Sequence, residues 1–200
     1  MRRFLGLGML MALAAWPAKA QITPKYEVSG GFQYTRFNSA AAATDINLVG
    51  GDASFVENLY RWVGVAGDVS ASYNRQTSST DAAINGETTF VLTYLVGPRF
   101  YPFGHHKLTF FGEALFGGGF LHADVPAVPP FPKMGLNNAA MSWAGDVGID
   151  YSIKDHWALR LDGGYLSTHF FNSTYGNQGN ERLVAALVYR FGVRGPHRHK

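Results

Sequence analysis

The stretch AMSWAGDVGIDYSIKDHWALRLDGGY, Ala140 to Tyr165, decides the fold. From Met141 to Ile153 the odd positions are Met141, Trp143, Gly145, Val147, Ile149, Tyr151 and Ile153. Between them lie Ser142, Ala144, Asp146, Gly148, Asp150 and Ser152. After Lys154-Asp155-His156 the alternation resumes, with Trp157, Leu159, Leu161 and Tyr165 set against Ala158, Arg160, Asp162 and Gly164. Successive strand side chains point to opposite faces. The segment therefore reads as a hairpin with one bulky apolar face and one face of small residues and isolated charges.

The same period of two runs along the chain, and a helical period is hard to find. Eight runs emerge, near residues 25–38, 53–61, 63–74, 87–101, 108–122, 139–153, 157–170 and 180–193. Phe90, Leu92, Tyr94, Val96 and Phe100 oppose Thr89, Thr93, Gly97, Arg99 and Tyr101. Leu183, Ala185, Leu187, Tyr189 and Phe191 oppose Val184, Ala186, Val188 and Arg190. The connections alternate in length. SAAAATDINLVGGD, RQTSSTDAAING, ADVPAVPPFPKMGLNN and FNSTYGNQG are long, whereas Arg61-Trp62, PFGHHK and Lys154-Asp155-His156 are short. An even number of strands with long loops at one end and short turns at the other predicts an all-β, eight-stranded antiparallel up-and-down transmembrane β-barrel.

The polar face decides which side is wet. A soluble barrel would carry Lys and Glu along its outer strands. Here Lys25, Lys107, Lys133, Lys154 and Lys200 fall at strand starts, turns, loops or the tail, never in mid-strand. Gly, Ala, Ser and Thr with scattered Asp, Glu and Arg suit the cramped interior of about eight strands. The bulky face then meets lipid. Tyr26, Trp62, Phe100, Tyr151, Trp157, Tyr189 and Phe191 gather toward the short turns, and Phe37, Tyr73, Phe120, Trp143 and Tyr165 toward the loops, as two interfacial girdles. The competing arrangement, a soluble barrel with a greasy interior, would fold without detergent.

The ends speak to export. Arg2 and Arg3, an apolar run from Phe4 to Ala15 and Ala18-Lys19-Ala20 have the layout of a cleaved secretory signal over residues 1–20. The barrel is expected over 21–193 and a basic tail over 194–200. Removing the leader takes three of 17 basic residues, leaving 14 against 14 acidic ones and a net charge of zero. The basic balance thus belongs to the leader, and nucleic acid is not an expected partner. The chain has no cysteine, so an exported fold must hold without disulfides.

LVAALVYRFG, RWVGVAGDVSASY and VGPRFYPFGHHKLTFFGEALFGG resemble the outer-membrane protein β-barrel domain family, which is similar to the transmembrane part of OmpA and to OmpX. The resemblance implies a monomer in the bacterial outer membrane, in contact with lipid and lipopolysaccharide and inserted by the barrel-assembly machinery. It implies no cofactor. One departure is that GVRGPHRHK follows Phe191, where the assembly signal of such barrels usually ends. No peptidoglycan-binding domain follows the barrel, so an anchoring role is not implied.

Alternation turns Glu27, Asp68, Arg99, Glu113, Asp146, Asp150, Arg160, Asp162 and Arg190 inward as a barrel-interior polar network. A turn centred on Asp155 sets Asp150 opposite Arg160. Arg99 with Glu113, and Glu27 with Arg190 at the closing seam, are the other expected pairs. Unpaired buried charge costs several kcal/mol, so pairing is the first expectation. The alternative is a narrow gated pore or proton path. A third class, a lipid A esterase, would rest on Ser167, His169 and Glu181, with Ser167 and His169 on the lipid face. There the order of serine and histidine is the reverse of that in the lipid A deacylases. His105-His106 and the tail histidines supply too few ligands for a metal site and read as a solvated turn and a basic tail. Gly117-Gly118-Gly119 lies within a strand and relieves crowding rather than cradling phosphate. No catalytic residue is expected, and the role is structural or one of surface interaction through the loops.

Overall fold

A computed structural model describes residues 23–37, 46–75, 88–125, 127, 132–170 and 178–193. The proposed leader, the tail and the loop prolines 126, 129 and 130 lie outside them. Eight antiparallel strands follow the chain in order: β1 (Pro24–Phe37), β2 (Ile46–Asn58), β3 (Val63–Arg75), β4 (Thr88–Phe100), β5 (Leu108–Val125), β6 (Met134–Lys154), β7 (Trp157–Thr168) and β8 (Gln178–Val193). Each pairs with the next, and β1 pairs with β8, which closes the barrel. Closure leaves no edge strand along the wall, the condition for a sheet to cross lipid.

Burial follows the alternation. In β8, Val184, Ala186 and Val188 are buried while Leu183, Leu187 and Tyr189 are exposed. The outer surface carries Val147 at 71%, Val96 at 57% and Leu159 at 52% exposure, and these belong to a continuous apolar belt that only lipid can cover. The bulky face is outside. Tyr60 stacks on Trp62 and Trp62 on Phe100, and Trp157, Tyr189 and Phe191 form a second run of ring contacts at the same end. Tyr73, Phe120, Trp143 and Tyr165 are exposed toward the other end.

Three expectations need correction. β2 begins at Ile46 rather than Ala53, because Asn47 to Asp52 pair across to Gly31–Arg36 of β1. Likewise β6 begins at Met134, so that Gly135 to Asn138, expected in a loop, pair with Leu121 to Asp124. In both places glycine and asparagine suggested a loop, but ladder hydrogen bonds to a longer partner strand outweigh weak β-propensity. Phe37, assigned to the outer girdle, is buried and packs on Phe170 at 6.5 Å, because it shares the inward parity of Thr35 and Gln33.

The short connections are built differently from one another. Leu59–Trp62 closes with Tyr60 and Val63 exchanging backbone hydrogen bonds of 2.9 and 3.4 Å. In Tyr101–Lys107, Gly104 donates to the Tyr101 carbonyl at 3.0 Å with φ of 69°, a conformation that favours glycine. A closed barrel of this kind resists SDS until heated. Unboiled protein should therefore migrate differently from boiled protein on a gel, and identical mobility would contradict the membrane-barrel fold.

Candidate functional site

The chemistry-bearing side chains lie inside the barrel, where strand parity aims them. Near the short turns, Arg160 donates from Nε to Asp150 Oδ1 (2.8 Å) and from Nη2 to Asp150 Oδ2 (2.9 Å). Nη2 also reaches Glu27 Oε2 at 3.2 Å. Asp150 and Arg160 are directly opposite across the β6–β7 turn, as are Glu27 and Arg190 at the β1–β8 seam. Arg190 donates to Asp150 Oδ2 and to Ser152 Oγ, both at 2.8 Å, and its Nε lies 3.6 Å from Glu27 Oε1. Arg99 donates to Glu113 across β4–β5 at 2.6 Å. Phe111 sits between two guanidinium groups, Arg99 at 4.4 Å and Arg160 at 4.7 Å from its ring centre. The aromatic face offsets the repulsion of two neighbouring cations.

A second network lies further from the turns. Arg182 donates to Asp68 Oδ1 at 2.9 Å and, from its other terminal nitrogen, to Asp146. Three strands, β3, β6 and β8, are thereby tied across the lumen. Asp162 stands over Gly148, where an added Cβ would come within 2.5 Å of both Asp162 Cβ and the Phe111 ring. All nine residues singled out in the sequence are buried in the lumen. The sequence reading omitted Arg182 and Asp52, both buried there. Each had a usable signal. Arg182 has the inward parity of Val184, and Asp52 has that of Ser54 once β2 is extended to Ile46.

His105 was also misread. Rather than lying solvated, it is buried: its Nε2 donates to Glu27 Oε1 at 3.1 Å, and its ring lies 4.2 Å from that of Tyr101. Tyr101 is wholly buried, and burial pushes its hydroxyl above the ordinary phenol range, so it stays neutral. Asn58 Nδ2 donates to Glu27 and to the Pro24 carbonyl. The Tyr101–Lys107 turn therefore folds a stopper into the turn end of the barrel. Sequence alone gave no sign of this, since nothing local distinguishes a turn that dips inward from one that does not.

Between the charged networks and the loops lies a neutral polar layer. Ser70 meets Thr93 at 2.7 Å, Gln33 donates to Thr35 and Ser72 at 3.0 Å each, and Thr168 donates to Gln178 at 3.1 Å. Above it Phe37, Leu48, Val91, Leu121, Ala123 and Phe170 form an apolar cluster at the loop end. Gly119 leaves room for it: an added Cβ would come within 2.9 Å of the Phe170 ring.

Ser167 is buried rather than presented to lipid, opposite Trp143 and Gly179. The Nδ1 of His169 donates to the Met141 carbonyl at 3.1 Å. Among the described residues no three His, Cys, Asp or Glu side chains converge as metal ligands.

Residues 5–191 match the model of the outer membrane protein beta-barrel domain. The chain belongs to that family. Its members' setting, the bacterial outer membrane, is accordingly this chain's, and the apolar belt faces the lipid of that membrane. Among solved structures, Ail, the attachment invasion locus protein of Yersinia pestis, in complex with the heparin analogue sucrose octasulfate, aligns at TM-score 0.60 and 13% identity, covering 85% of this chain and 100% of Ail. Neisserial surface protein A aligns at TM-score 0.60 and 10% identity, covering 84% and 97%. OprG from Pseudomonas aeruginosa aligns at TM-score 0.55 and 11% identity, covering 88% and 100%. At these identities the likeness is one of fold. No curated protein matches in sequence.

Arg160 neutralises two carboxylates at once, so Arg160→Ala should destabilise the barrel by about 3–5 kcal/mol, the usual cost of stranding buried charge. Lys133→Ala, which removes an exposed 3.3 Å pair with Asp124, should cost about 1 kcal/mol or less. Urea unfolding in lipid vesicles, followed by tryptophan fluorescence, measures both. Equal effects would mean that the lumen network adds no stability.

Proposed function

We propose that this chain is a monomeric outer-membrane protein with a structural and surface-interaction role, exported with cleavage after Ala20 and inserted by the barrel-assembly machinery. Its short turns lie in the periplasm and its four long connections outside. The observation that carries the reading is the filled lumen. The His105–Tyr101 stopper closes the turn end, ion pairs cross the middle, and the cluster around Phe37 and Phe170 closes the loop end. A plugged barrel displays its loops rather than conducting through its axis. The connections 38–45, 76–87, 126–133 and 169–177 are then the parts that meet lipopolysaccharide, other envelope proteins or host surfaces. Two structural neighbours, an attachment invasion locus protein and a surface protein, support that setting.

The second reading, a narrow cation path, draws on one observation. Glu27, Asp52, Asp68, Glu113, Asp146, Asp150 and Asp162 outnumber Arg99, Arg160, Arg182 and Arg190 in the described lumen. Planar-bilayer recording separates the two. The purified barrel should give no steady conductance, and sustained cation-selective steps would favour the path. The chain is proposed not to be an enzyme: Ser167→Ala should leave lipid A acylation unchanged by mass spectrometry. Intact-mass analysis of protein from the outer-membrane fraction should place the mature N-terminus at Gln21.

A further inference from the structure

Four basic side chains stand exposed at the turn end of the barrel, two of them over aromatic rings and two next to a tryptophan in the register or the chain. Lys25 Nζ lies 4.8 Å from the Tyr26 ring centre, and Lys107 Nζ lies 5.5 Å from that of Tyr151. Lys154 pairs in register with Trp157, and Arg61 precedes Trp62, which stacks between Tyr60 and Phe100. These four sit on β1, the β2–β3 turn, the β4–β5 turn and β6, so they are spread around the rim rather than clustered on one side. The acids nearby are Glu57, half-buried opposite Tyr26, and Asp155 in the β6–β7 turn. A half-buried His106 and an exposed His156 add imidazoles at the same end, with the His106 ring at the Phe103 carbonyl and His156 stacked on Tyr189.

Tryptophan and tyrosine at a membrane surface mark the depth of the headgroups. A lysine or arginine that lies beside such a ring holds its stem along the apolar wall and its charge at the height of the lipid phosphates. At the loop end the described exposed charges are instead arranged in opposite-sign neighbours. Arg36 stands across from Glu181 in the β1–β8 register, and Lys133 pairs with Asp124 at 3.3 Å.

From this we infer that the turn-end rim, through Lys25, Arg61, Lys107 and Lys154, is a binding surface for phospholipids of net negative headgroup charge in the leaflet it contacts. The phosphate accepts from the ammonium or guanidinium group, and the adjacent ring packs on the glycerol and upper acyl chain. A zwitterionic headgroup offers the same phosphate, but its own ammonium group competes for it. The preference is therefore for net charge, and it should weaken as salt screens the rim.

The inference rests on the membrane-spanning reading, which the SDS mobility shift tests separately. The direct experiment places the full mature chain in nanodiscs of phosphatidylethanolamine and phosphatidylglycerol. Spin-labelled lipids then report the motionally restricted fraction of each headgroup type. Wild-type protein should restrict phosphatidylglycerol in preference to phosphatidylethanolamine, with the preference falling as sodium chloride rises. The quadruple variant Lys25→Gln, Arg61→Gln, Lys107→Gln, Lys154→Gln should lose the preference, and single variants should lose up to about fivefold each. The loop-end variant Arg36→Gln, Lys133→Gln should keep it. All samples must first show the mobility shift of a folded barrel. A quadruple variant that folds and keeps the preference would overturn the inference, as would loss in the loop-end variant or no preference in the wild type. Should the quadruple variant fail to fold, the four single variants and the salt dependence of the wild type decide it by the same criteria.

Discussion

Within a bilayer core no water is present to satisfy a peptide group, so every backbone donor and acceptor of the wall must find its partner in another strand. The pairing of β1 with β8 meets that requirement, since without it two strand edges would face hydrocarbon. The register of that seam also places Glu27 opposite Arg190 and the ring of Tyr26 against Phe191 at 5.4 Å. One contact thereby sets the closed wall, the position of the acid at the centre of the turn-end network, and part of the aromatic belt. Glu27 then receives Arg160, Arg190, His105 and Asn58, groups from four other parts of the chain.

The narrowness of an eight-stranded lumen explains the mixture of residue types inside it. Large charged side chains fit only where their neighbours are small. Gly148 beneath Asp162 and Phe111, and Gly164, whose added Cβ would clash with the Asp146 carboxylate, show the trade directly. The arginines span the lumen because a guanidinium can serve two acceptors in different directions. Arg160 joins β7 to β6 and β1, and Arg182 joins β8 to β3 and β6. The links from β7 to β1 and from β8 to β3 and β6 join strands that are not neighbours in the sheet, and so make the barrel more than a sum of adjacent ladders.

Ion pairs, a folded-in turn and an apolar cluster occupy successive levels of the same interior. The arrangement leaves the two rims as the places where the molecule can meet partners. At one rim long connections leave the barrel. At the other, lysine side chains lie over aromatic rings of the wall.

The sequence by itself determined the wall. A period of two specifies which side chains share a face, and the lack of lysine in mid-strand specifies that the bulky face is outside. A turn centred on Asp155 suffices to place Asp150 across from Arg160. The strand ends were less legible, as at Ile46 and Met134, because a short glycine- or asparagine-rich segment becomes a strand only when a longer neighbour supplies its hydrogen bonds. Contacts across the lumen were decided by the tertiary structure alone. Periodicity says that Arg182, Asp68 and Asp146 point inward, but only barrel closure and stagger bring β3, β6 and β8 to one height. The burial of His105 on Glu27 has the same origin. It depends on how a short turn folds against a pocket built by distant strands, and nothing in the sequence near His105 records that pocket.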